Sequence, residues 1–81
     1  METRVAVIGI IVENNDSAEQ LNAVLHEYAD IIIGRMGLPY HKKNISIVSI
    51  AVDAQQDTIS ALTGKIGAIH GISVKTAYAN A

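Results

Sequence analysis

"ADIIIGRMGLPYHKKNISIV", residues 29–48, decides the architecture, because two strand-like runs meet there with no helix between them. The first run, residues 31–38, is β-branched at its start, and Pro39 is expected to end its ladder by removing a donor. "PYHKKN" is then a polar connection at a hairpin tip. The second run, residues 45–52, is rich in Val and Ile, and Asp53 closes it.

Working outward, each run is flanked by a helix and a further strand. Upstream, "TRVAVIGIIVE", residues 3–13, reads as a strand. "NNDS" is a turn, and Ser17 with Gln20 forms an S-x-x-Q box that would cap a helix. Ala18, Leu21, Leu25 and Tyr28 then recur on one helical face. Downstream, "AQQD" leads into a second helix with Ile59, Leu62, Ile66 and Ile69 on one face, at the same spacing. Gly71 stands where a C-cap glycine belongs, and residues 72–78 alternate as a half-exposed strand. The order βαββαβ predicts an α+β ferredoxin-like sandwich, with both helices on one face of a four-stranded antiparallel sheet. The first and third strands should be central. One domain, residues 1–81, is expected.

The face turned away from the helices should be polar, yet the central strands are apolar on both sides. Val5, Val7 and Ile11 oppose Ala6, Ile8, Ile10 and Val12; Ile45 and Ile47 oppose Val48, Ile50 and Val52. Burying ~500 Å² of that second face would be worth on the order of 12 kcal/mol before association costs. Self-association is the expectation, with Val5, Val7, Ile45 and Ile47 in the interface; a monomer with a partly apolar surface is the alternative. Gly64 and Gly67 in the second helix each cost roughly 1 kcal/mol relative to Ala. Either another backbone approaches closely there, which would add them to the interface, or the helix is a slack, solvent-facing one.

Length and composition agree with an assembly. At 81 residues a domain buries only roughly 60–65% of its extended-chain surface, so disulfides, metals or oligomerisation usually assist. With no cysteine, disulfides and thiolate metal sites are excluded. The apolar runs fall short of the ~20 residues of a membrane helix and nothing reads as a signal peptide, so a cytoplasmic protein is expected. The net charge is −2. Six acids and one base lie in residues 1–30, against two acids and five bases in residues 31–81. The basic charges are scattered and lack stacking aromatics, which argues against direct nucleic-acid binding.

No residue set identifies a reaction. His26, His41 and His70 share no metal-ligand spacing, so a metal site would need symmetry-related chains. "GRMG" has no helix N-terminus after it to supply anion donors. Arg35 could hold an anion or could be an ordinary surface arginine. The serines carry no elbow motif. No cofactor, no metal and no catalytic residue is expected, and the chain is read as a non-enzyme.

"NNDSAEQLNAVLHEYADIIIGRMGLPY" and "NISIVSIAVDAQQDTISALTGKIGAIHGISVKT" together resemble the small proteins named as iron-only hydrogenase system regulators. R-M-G-L-P-Y, D-T-I-S-A-L-T-G-K-I-G and G-I-S-V-K-T carry the resemblance over nearly the whole chain. It implies an ACT-like domain, akin also to the C-terminal domain of nickel-responsive regulators, assembled as dimers or tetramers. Two features depart from those relatives. The clustered histidines and cysteine of a nickel site are missing, and the loop after the first strand, "ENNDSA", has no glycine. The resemblance implies a regulatory or sensor domain that self-associates and binds a small ligand or a partner protein of the hydrogenase system. Asn14, Asn15 and Asp16 are then the first ligand candidates. The alternative is an accessory protein for hydrogenase maturation that acts only by protein contacts.

Overall fold

The computed structural model describes residues 2–80; Met1 and Ala81, the ends of the expected domain, lie outside them. The elements are β1 (Arg4–Val12), a 3-10 turn (Asn15–Ser17), α1 (Ala18–Glu27), a 3-10 turn (Ala29–Ile31), β2 (Ile32–Tyr40), β3 (Ile45–Ala54), α2 (Gln56–Gly67) and β4 (Ile72–Tyr78). The sheet is antiparallel in the order β2-β3-β1-β4. This is the ferredoxin-like fold, with β1 and β3 central as the sequence predicts.

Period-two alternation places the core. Ala6, Ile8, Ile10 and Val12 of β1 and Val48, Ile50, Val52 and Ala54 of β3 are buried against Leu21 and Leu25 of α1 and Ile59, Leu62 and Ile66 of α2. The register sets Ile8 opposite Ile50 and Ile10 opposite Val48, so apolar side chains meet across the pair. Both helices therefore cover the same sheet face. Lys65 Nζ joins them by donating to Glu27 at 2.9 Å. That hydrogen bond is the largest cause holding the Lys65 pKa above its ordinary value. Both side chains are about half exposed, where screening and side-chain entropy leave such a pair little stabilising effect.

Four local expectations are corrected. β2 does not stop before Pro39 but runs on to Tyr40; it is an edge strand, where a missing donor is tolerated. β3 is not closed by Asp53 but continues to Ala54, whose side chain is buried. The Ser17–Gln20 box does not form. Ser17 makes no side-chain cap hydrogen bond; it donates instead to the His70 carbonyl, and Asn14 caps the preceding turn by accepting from the Asp16 N–H at 3.0 Å. Gly71 is not the cap of α2, which ends at Gly67 and is followed by a right-handed Ala68. It lies in the tight turn into β4 with φ +78°, a conformation glycine adopts without steric penalty.

Candidate functional site

β1 and β2 end, and β3 and β4 begin, at the same end of the sheet. Three connections therefore gather there: residues 13–17, 41–44 and 68–71. They are tied together through the residues proposed as ligand contacts. Asn14 caps its own turn, and its Cβ lies beside Gly71. Asn15 Nδ2 donates to Asn44 Oδ1 at 3.3 Å, and Asn44 itself is left-handed with φ 56°. Glu13 N–H donates to the Gly71 carbonyl at 2.8 Å. Asp16 is exposed. Asn14 and Asn15 thus have partners within the chain, and none of the three lines the clefts described below.

Ser17 is buried at this end, and its hydroxyl satisfies the His70 carbonyl. Ser17→Ala should leave that carbonyl unpaired and cost about 1–2 kcal/mol, read as a fall in melting temperature; an unchanged midpoint would mean that water replaces the hydroxyl. His41, Lys42 and Lys43 are exposed on the turn between β2 and β3. Among the described residues no group of three His, Asp or Glu side chains is placed to hold a metal ion.

A second surface, which sequence reasoning missed as a unit, lies between α1 and β2. The helix layer stops short of the edge strand, so Arg35, Gly37 and Pro39 stay exposed although they point to the helix side. Two neighbouring clefts of about 320 and 310 Å³ open there, and both are lined by Asn22 and Arg35. Arg35 Nη2 donates to Asn22 Oδ1 at 2.8 Å, which holds the guanidinium in the groove. His26, one helical turn from Asn22, lines the first cleft with Leu25, Ala29 and Ile32. Leu21, Gly37 and Val48 lie along the second. The sequence signal was the i, i+4 pair Asn22 and His26 on the polar side of α1. Their pairing with Arg35 emerges only when the crossover sets α1 beside β2.

The third surface is the sheet face opposite the helices. Val5, Val7, Ile33, Met36, Leu38 and Tyr40 are between 41% and 65% exposed. Ile11, Ile45, Ile47 and Ala51 are half-buried beside them. The interface candidates Val5, Val7, Ile45 and Ile47 thus share one face; at its centre Val7, Gly9, Ile11, Ile47, Ser49 and Ala51 carry no charge, while Lys75 opposite Gly9 and Asp53 opposite Val5 lie on the same face. Gly64 and Gly67 sit elsewhere, on α2. A Cβ at Gly67 would rest 3.4 Å from Val74 Cγ1, so that glycine faces β4 of its own chain; at Gly64 a Cβ would meet nothing within 4 Å. Gly64→Ala should therefore raise stability by up to about 1 kcal/mol and leave the subunit count unchanged. A fall in subunit count would instead put α2 in the interface.

Residues 4–76 match the TM1266-like family, described as "Iron-only hydrogenase system regulator, putative". Among solved structures, the chain is similar to the protein TM1266 from Thermotoga maritima, with 34% identity, a TM-score of 0.93, and 98% of this chain and 100% of that one covered. It is also similar to LarC2, the C-terminal domain of a cyclometallase involved in the synthesis of the NPN cofactor of lactate racemase, with 17% identity and a TM-score of 0.52, over 95% of this chain and 56% of that one. At that identity the second likeness concerns the fold alone. A search of curated proteins gives no match.

Proposed function

The chain belongs to the TM1266-like family, and on that premise we propose that it is a non-enzymatic regulatory domain of the iron-only hydrogenase system. It works as an assembly of identical copies and responds to a small ligand or a partner protein. The observation that carries this reading is the uncovered sheet face. Strands about 4.8 Å apart and about 3.3 Å per residue in length make a four-stranded face on the order of 500 Å². Ser49, Ser73, Lys75 and Asp53 share that face, but its greater part is apolar, within the range of the largest patches that soluble monomers leave exposed. A standard interface buries about 800 Å² on each partner, so this face would supply the greater part of one.

A second copy is the occupant that fits. The centre of the face is largely apolar, with Lys75 of β4 opposite Gly9 at its margin, and such a patch complements itself across a two-fold axis. A chain this short also gains more from association than a larger domain would. Native mass spectrometry should return a dimer or a higher even assembly. A single chain at high concentration, with those side chains in water, would remove the reading.

A further inference from the structure

We infer that the groove between α1 and β2 binds a small aliphatic carboxylate, its charged end on Arg35 and its apolar body over Gly37. This rests on the ligand-responsive part of the function proposed above and names the place and the chemistry.

Charge is the first argument. The two clefts are lined by Arg35, His26 and Asn22 as polar groups, with Ser46 at the far end, and by no acidic residue. Yet six of the chain's eight acids fall in residues 1–30, which include α1. Among the described residues the one ion pair is Lys65–Glu27, so the guanidinium of Arg35 has no carboxylate of its own. Its described hydrogen bond to Asn22 uses one of five donors. The planar fork that remains suits a carboxylate, which it can hold by two parallel hydrogen bonds.

Shape is the second argument. The clefts stand at the small end of ligand pockets, and beyond the polar groups their walls are Leu21, Leu25, Ile32 and Val48. Gly37 pairs with Val48, which points into the core. A side chain at 37 would therefore project into the second cleft. Nothing within the chain requires glycine there, since a Cβ would meet no atom within 4 Å. Glycine inside a strand weakens it and often marks a site of close approach. The room it leaves accounts for its presence.

The absence of an acid also sets specificity. An α-amino acid would bring an ammonium group with no carboxylate to receive it, whereas a 2-oxo acid of the same skeleton brings none. The probe is therefore 4-methyl-2-oxopentanoate, titrated into 15N-labelled protein, with L-leucine, 4-methyl-2-pentanone and inorganic phosphate as comparators. The oxo acid should move the amide signals of Asn22, His26, Arg35 and Gly37 and saturate, with a Kd of about 0.1–1 mM for so small a ligand. Each comparator should bind more weakly.

Arg35→Gln should weaken binding by about tenfold or more. Gly37→Ile should abolish it while the melting temperature stays the same or rises, a combination that a merely structural role for Gly37 would not give. Signals that move elsewhere, affinities untouched by both variants, or leucine or phosphate binding as tightly as the oxo acid would overturn the inference. Native mass spectrometry on the same samples keeps the two readings apart. Assembly without oxo-acid binding removes the groove, and oxo-acid binding to a single chain removes the interface.

Discussion

Val7→Glu is expected to convert the proposed assembly into single chains. Val7 is 48% exposed in the isolated fold and pairs with Ala77 and Ala51 in the middle of the uncovered sheet face. In a single chain the new carboxylate stands in water and disturbs little. In a two-fold interface each copy would bring a carboxylate to a largely apolar centre, where the nearest cation is the edge-strand Lys75 opposite Gly9. Desolvating the carboxylate costs several kcal/mol, and a pair with Lys75 would have to be desolvated as well, so the dissociation constant should rise by about 100-fold, or about 3 kcal/mol. Sedimentation velocity over a range of concentrations measures this directly. The variant's melting temperature should fall only through loss of association, and therefore with the concentration dependence of the parent removed. A variant that sediments like the parent would exclude this face as the interface, whatever the subunit count.

Gly71→Val should damage the fold itself. The residue stands at φ +78°, where a β-branched side chain is strained. A Cβ would also lie 2.6 Å from Asn14 Cβ and 3.4 Å from Asn14 N. The obstruction is largely backbone and the root of a side chain, so no rotamer relieves it. Giving way would pull on the Glu13–Gly71 hydrogen bond and on the turn that Asn14 caps. Strain and clash together should cost about 3–4 kcal/mol, a large part of the roughly 4–12 kcal/mol expected for a domain of this length. The melting temperature should drop by about 15–25 °C. A drop of only a few degrees would show that the β1–α1 turn can move aside freely.

The contrast between these positions shows what was legible in the sequence. The alternation of Val5 and Val7 against Ala6 and Ile8 needs only a period of two, so the two faces of β1 could be read from adjacent residues. The same holds for Ile45 and Ile47 against Val48 and Ile50, and for the helical spacing of Leu21 and Leu25. Strand ends were harder. Whether Pro39 terminates a strand depends on whether that strand lies at the sheet edge, which is a property of the whole topology. Ser17 was misread because its tertiary partner, the His70 carbonyl, outcompetes the local box that its neighbours spell. The groove was least legible of all. Asn22 and Arg35 are thirteen residues apart on different element types, and only the crossover of α1 toward β2 turns two ordinary surface residues into neighbours.

The alternation along β2 has a further consequence. This strand is a partition one residue thick: Arg35, Gly37 and Pro39 belong to one side, and Met36, Leu38 and Tyr40 to the other. It is held by β3 along a single margin, and its pairing is already irregular between Ile32 and Gly34. A slip by one position would exchange the two sets wholesale, putting methionine and leucine where the guanidinium now stands. No messenger between the two surfaces is then required, since whatever steadies or shifts this strand from one side has acted on the other by the same displacement.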